Sequence, residues 1–169
     1  MTVTETPRLI LRQVTLDDIP TIEAMYTDPA GMEFKGGPRT LESIREMVEG
    51  TIRFYEEYGY GRWGVILKAG EQLIGWCGLL RQEVEDALEI EVSYHLDRAY
   101  WGRGYATEAA QAAKDYGLNT LGLKRLVSLI DPGNVASKNV ALKNGMRFER
   151  DVTWKNKPMQ VYAIARPQE

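Results

Sequence analysis

The stretch from Leu88 to Ile130 constrains the fold more than any other part of this 169-residue chain. Leu88 to Leu96 alternates strictly. Ile90, Val92, Tyr94 and Leu96 share one face and Glu89, Glu91, Ser93 and His95 the other, which is the period of a strand. Gly102-Arg103-Gly104 follows, then a helix expected from about Tyr105 to Leu121 and a strand from Arg125 to Ile130. A glycine turn between a strand and a helix presents unpaired backbone N–H groups at the positive end of the helix dipole. Its glycines let an anion approach the backbone. The turn is therefore a candidate phosphate cradle, with Arg98 and Arg103 adding positive charge.

Around this unit the chain reads as helices first and hairpins after. Arg8 to Gln13 is a short strand, and Thr15-Leu16-Asp17-Asp18 caps a helix from about Asp17 to Tyr26. Asp28-Pro29-Ala30-Gly31 stops it, Phe34 to Arg39 is a loop, and Thr40-Leu41-Glu42-Ser43 opens a second helix to about Tyr58. Trp63 to Leu67 and Leu73 to Leu80 flank Lys68-Ala69-Gly70-Glu71 as a hairpin. After Asp131-Pro132-Gly133-Asn134, a helix from Val135 to Asn144 is capped by Gly145. Two strands, about 148–154 and 159–166, then surround Lys155-Asn156-Lys157-Pro158. The expected fold is a single α/β (α+β) domain over residues 1–169, with a mixed sheet of about seven strands and about four helices.

Several function classes are disfavoured. With 21 basic and 24 acidic residues, a net charge of −3 and no long run of one sign, the chain lacks the basic footprint of a nucleic-acid binder. One cysteine, Cys77, and one histidine, His95, leave no internal disulfide and no metal-ligand cluster. No apolar run approaches the roughly 18 residues of a membrane span, and the first residues do not read as a leader, so a cytoplasmic location is expected. A nucleotide P-loop is excluded because the turn lacks the Gly-Lys-Ser/Thr ending. A dinucleotide site stays open on Gly102-x-Gly104-x-x-Thr107, with Asp131 as the ribose acid. Against it stand Thr107 in a place that favours a small residue and the many hairpins.

Tyr100-Trp101-Gly102-Arg103-Gly104-Tyr105-Ala106-Thr107-Glu108-Ala109 resembles the acetyl-CoA signature of the GNAT superfamily of N-acetyltransferases, most closely its Rim-type branch of ribosomal-protein alanine acetyltransferases. The likeness extends through Thr6 to Arg12, Asp28-Pro29, Glu91-Val92-Ser93-Tyr94, Asn134-x-x-Ser137 and Lys143 to Glu149. It implies a strongly twisted sheet splayed between its fourth and fifth strands, here Leu88–Leu96 and Arg125–Ile130. Acetyl-CoA, as cosubstrate, would insert there like an extra strand. The implied cofactor contacts are Tyr94, His95 and Leu96 on a bulged strand, then Ala99, Trp101, Gly102, Arg103, Gly104, Tyr105, Ala106 and Thr107 around the pyrophosphate. Asn134 and Ser137 complete the set near the pantetheine, and no metal is implied. Ala99 departs from the family's Gln or Arg.

The resemblance further implies direct acetyl transfer to a primary amine, on a protein N-terminus or a small molecule, within a ternary complex. Such transfer needs a neutral amine, a polarised thioester and a proton for the thiolate. Glu91 is the expected base, acting through water, although a solvated strand face or an ion pair would explain it equally plainly. Glu89 and His95 share its face and are substitutes. Ala141 stands where many relatives carry a thiolate-protonating tyrosine, so Ser137 is the expected acid or sulfur hydrogen-bond donor; its alternative is an ordinary helix-terminal serine. Met32–Arg39 and Thr153–Gln160 are the expected acceptor walls. A homodimer is common in the family, and the competing reading is a catalytically silent acyl-CoA-binding sensor module.

Overall fold

A computed structural model describes residues 1–166 of the chain. In chain order it contains β1 (Thr2–Glu5), β2 (Leu9–Gln13), α1 (Ile19–Thr27), α2 (Leu41–Tyr58), β3 (Arg62–Leu67), β4 (Gln72–Val84), β5 (Ala87–Leu96), α3 (Tyr105–Asp115), β6 (Arg125–Ile130), α4 (Val135–Lys143), β7 (Arg147–Trp154) and β8 (Lys157–Ala165). The strands form one sheet in the order β1-β2-β3-β4-β5-β6-β8-β7. Only β5 and β6 run parallel. This is the mixed α/β architecture expected, with four helices and one more strand than anticipated.

Local chemistry accounts for the helix ends. Thr40 accepts a hydrogen bond from the Ser43 N–H at the start of α2, and Gly59, at φ 74°, ends it. Ile44, Val48, Thr51 and Tyr55 recur at helical spacing and form the buried face of α2. Trp63 and Trp76 are among the largest fully buried side chains. The Trp76 indole donates to Tyr26 Oη at 2.7 Å, so its polar atom is satisfied inside the core. Replacing a packed tryptophan of this kind by alanine costs about 3–5 kcal/mol.

The unexpected strand β1 is short and carries only Val3 as an apolar side chain, too little to show a period. In β4 the polar run Arg81-Gln82-Glu83 hides the strand period, but pairing with Leu88–Ile90 of β5 prolongs the strand to Val84. Lys155 and Asn156 both take positive φ, so a two-residue turn closes the last hairpin and β8 begins at Lys157 rather than Met159. The helix expected to reach Leu121 ends at Asp115 and widens into a π turn over Tyr116–Thr120. There Gly117 lies so close to the Leu79 and Leu126 side chains that an added Cβ would sit 3.1 Å from each.

The sheet opens between β5 and β6. Their ladder is a single pairing, Glu91 with Val127, and Ser128 Oγ adds one hydrogen bond to the Val92 carbonyl at 2.9 Å. These two strands are the expected fourth and fifth, renumbered by β1. The expected bulge is absent, because β4 and β5 pair in unbroken register from Gly75–Leu96 to Val84–Ala87. The separation therefore arises where the parallel ladder ends. Among the described residues no helix is long and apolar enough to cross a membrane.

Candidate active site

The glycine turn and the cleft are joined by β5. After Leu96, Asp97 accepts from the Ala99 N–H at 2.9 Å, and the Tyr100 and Trp101 N–H groups bond back to Asp97 and Arg98. These three amides are thus already occupied, which removes Ala99 from the expected cradle. The exposed glycine turn itself begins at Gly102. Gly102 and Gly104 take φ of 73° and 80°, and a Cβ on Gly102 would meet nothing within 4 Å. Gly104 is the N-cap of α3 and no side chain caps that helix, so the first-turn amides of Tyr105, Ala106 and Thr107 have no partner within it. An exposed backbone with unspent donors fits a pyrophosphate.

A residue far away in sequence braces this turn. Arg8 Nη1 donates to the Arg103 carbonyl at 3.0 Å, its guanidinium lies 4.4 Å from the Tyr105 ring centroid, and Nη2 pairs with Glu108 at 2.6 Å. Glu108 also accepts from Thr6 Oγ1 at 2.5 Å and the Arg8 N–H at 3.0 Å. Burial would raise the Glu108 pKa, but the Thr6 and Arg8 hydrogen bonds outweigh it and hold the carboxyl below its ordinary 4.5. The brace is therefore complete above that value and is lost as pH falls through the lower folded one. It also neutralises the single acid in the first turn of α3.

Past Val92 the open edge of β5 is claimed by three different elements. The Val92 carbonyl accepts from Ser128 of β6, the Tyr94 carbonyl from Lys35 Nζ at 3.3 Å, and the Leu96 carbonyl from the Trp101 indole at 2.9 Å. Leu96 itself is a core side chain, 4% exposed. Between the strands lies a cavity of about 70 Å³ whose walls include Glu91, Ser93, Tyr94, Asn134 and Ser137. Phe34 and Lys35 come from one expected acceptor wall and Met159 from the other.

The three expected bases have different surroundings. Glu89 is held by Arg125 at 3.1 Å, and Arg125 also grips Glu149 at 2.7 Å, so Glu89 is committed to an ion-pair network. His95 is 5% exposed and packs on Tyr26, ring centroids 4.8 Å apart. Burial, then Lys35, Arg62 and Arg39, drive its pKa down to about 3 against the Met25 backbone, so it is neutral at physiological pH and a weak base. It does not line the cavity. Glu91 is 9% exposed, does line the cavity, and accepts from Gln82 Nε2 at 2.8 Å. Burial raises its pKa despite the Gln82 hydrogen bond, Arg62, Lys35 and the Leu129 backbone. Glu91 is thus a carboxyl poised nearer neutrality than an ordinary one.

On the opposite wall, Asn134 Oδ1 caps α4 by accepting the Ser137 N–H at 3.1 Å, leaving its amide nitrogen free of that role. The Ser137 carbonyl accepts from Tyr94 Oη at 3.0 Å, and the Ser137 side chain also lies within hydrogen-bonding reach of that phenol. Ala141 is buried and offers no proton donor. Asp131 accepts from the Gly133 N–H at 2.8 Å, so its carboxylate serves a turn; with hairpin pairing throughout the flanks, the dinucleotide expectation falls. Cys77 is buried in the core with its thiol pKa pushed up by that burial. Among the described residues no His, Cys, Asp or Glu grouping could hold a metal. Arg8 at the glycine turn, and Arg62 and Gln82 near Glu91, were not singled out by the spacing of the chain, and Lys35 was expected only as part of the Met32–Arg39 wall.

Comparison with known proteins agrees with this geometry. Residues 8–147 match the Acetyltransferase (GNAT) domain. "Uncharacterized protein YkkB" of Bacillus subtilis (strain 168) is 36% identical over 158 residues, 93% of this chain and 92% of that one. "Uncharacterized N-acetyltransferase p20" of Bacillus licheniformis is 30% identical over 148 residues, 86% of this chain and 82% of that one. The crystal structure of a GNAT-family acetyltransferase from Bacillus anthracis superposes with a TM-score of 0.81 at 26% identity, covering 98% of both chains. With a splayed sheet, an uncapped glycine turn and a family match spanning most of its length, the chain belongs to the GNAT family of acetyltransferases, enzymes that draw their acetyl group from acetyl-CoA.

Proposed function

We propose that the chain acetylates a primary amine by direct transfer within a ternary complex, with Glu91 as the base and Ser137 as hydrogen-bond donor to the departing sulfur. One observation carries this reading: Glu91 and Ser137 line the same cavity from opposite walls of the splay. The amine nitrogen forms the new C–N bond as the thioester C–S bond breaks. Glu91 takes the amine proton through water, and the Ser137 hydroxyl stabilises the thiolate until it is protonated. The Tyr94 N–H, on the open edge of β5, is the candidate donor to the carbonyl oxygen. The turn from Gly102 to Thr107 holds the pyrophosphate, and the Asn134 amide meets the pantetheine.

Thiol release from acetyl-CoA over a panel of primary amines tests the reading. Release that depends on the amine supports it. Acetyl-CoA binding without release on any amine would instead favour the silent sensor module. Ser137→Ala is expected to lower kcat about tenfold while leaving the KM for acetyl-CoA nearly unchanged, the loss of one hydrogen bond to developing charge. The Ser137 N–H remains to cap on Asn134, so α4 is retained. Arg8→Ala is expected to weaken acetyl-CoA binding about tenfold by loosening the Arg103 carbonyl. Calorimetric titration reads this, and an unchanged Kd would mean that the turn holds itself.

A further inference from the structure

The face of the sheet beside Glu91 is crowded with positive charge that forms no ion pair among the described residues. Arg62 on β3 pairs with Gly78, which pairs with Ser93, so its row crosses to the cavity with no side chain between. Its guanidinium lies 5.0 Å from the Trp76 ring centroid. Arg39 reaches over Tyr26 at 5.7 Å, and Lys35 Nζ bonds the Tyr94 carbonyl. From the far wall, Lys157 Nζ would lie 3.8 Å from a Cβ on Gly36 of the same loop. Among the described residues none of these four cations is in an ion pair, whereas Arg8, Arg12, Arg98, Arg125 and Arg150 all are. The acids at hand are Glu91, inclined toward protonation, and exposed Glu33 on the loop. Beneath the cluster His95 Nε2 is buried with no partner.

We infer that this face binds the acceptor, and that the acceptor is a small primary amine bearing a carboxylate, held by Arg62 and Arg39, rather than a polycation. The inference rests on the transferase reading above. Forked guanidinium donors match a carboxylate in a way that they match no uncharged group. In a chain of net charge −3, a concentrated positive corner also draws an anionic acceptor and repels a polyamine. The same field serves the chemistry. Lys35 is exposed along part of its length, yet its ammonium group in the cleft loses solvation and faces Arg62 and Arg39, which lowers its pKa to about 8 despite Glu91. An acceptor ammonium beside those arginines meets the same repulsion and is brought toward the neutral amine that attacks.

Thiol release from acetyl-CoA with matched acceptors tests this: an α-amino acid, its carboxamide, and spermidine. Expected is a kcat/KM about tenfold or more higher for the carboxylate than for the carboxamide, with spermidine slowest. Arg62→Gln, and separately Arg39→Gln in case the first fails to fold, should narrow the carboxylate-to-carboxamide ratio through KM. Carboxamide or spermidine equal to or faster than the amino acid overturns the carboxylate assignment while leaving the transferase reading intact. Absence of release with every amine overturns the transferase reading on which the assignment rests.

Discussion

Gly104→Val is expected to weaken acetyl-CoA binding by about 2–4 kcal/mol, roughly 30- to 1000-fold in Kd. Gly104 sits at φ 80°, where a β-branched side chain costs of order 1–2 kcal/mol, and its Cβ would also approach Arg8 Nη2 at 3.4 Å. The chain relieves this by rotating the turn, and rotation re-aims the first amides of α3 away from the phosphates. Each misaligned amide then gives up a charge-assisted hydrogen bond of about 1.5–3 kcal/mol. Fold stability should change far less, since the turn is exposed and packs against little else. Calorimetric titration beside a thermal melt separates the two effects. Wild-type affinity in a folded Gly104→Val protein would move the pyrophosphate elsewhere.

Glu91→Gln is expected to lower kcat at neutral pH by about 100-fold or more, within the range that a positioned general base contributes. Acetyl-CoA affinity should be nearly unchanged, because the hydrogen-bond partner of Glu91 is Gln82 and not a residue of the turn. The pH dependence gives the sharper reading. A base works when deprotonated, so the parent rate should fall as pH drops through the Glu91 pKa, and burial places that fall above the ordinary carboxyl range. In Glu91→Gln this acidic limb should vanish. Stability has the opposite sign: a carboxyl with a raised folded pKa destabilises the fold as pH rises through that value. The variant should therefore melt no lower than the parent at neutral pH, its new amide oxygen still able to accept from Gln82. A pH–rate profile identical to the parent's would assign the proton to another group.

The stability result follows from what a buried carboxyl without an ion pair costs. Glu91 is kept in a wall of low solvation where an apolar residue would pack at least as well. Glu89, two residues away and equally buried, shows the alternative, since its carboxylate is paired with Arg125, which also holds Glu149. The contrast between the two glutamates is a contrast between a structural ion pair and a group left available for protons.

The strand alternation from Leu88 to Leu96, the glycine turn, the helix after it and the Asn134 cap are written in residues close together in the chain. Their physics is local: side-chain period, positive φ and unpaired helix amides depend on neighbours a few positions away. For that reason the element order and the glycine turn follow from local spacing, whereas the cleft between β5 and β6 was legible only through the resemblance to the GNAT superfamily. Which of Glu89, Glu91 and His95 retains a free polar group depends instead on Arg125 of β6, on Gln82 of β4 and on Tyr26 of α1, each brought over by the tertiary fold. The same holds for Arg8, about a hundred residues from the turn that it braces, and for Lys35, Arg39 and Arg62, which meet from two segments of the chain to set the field beside Glu91. Burial and charge pairing are properties of what surrounds a group in space, so spacing along the chain could nominate these residues but only packing could divide them.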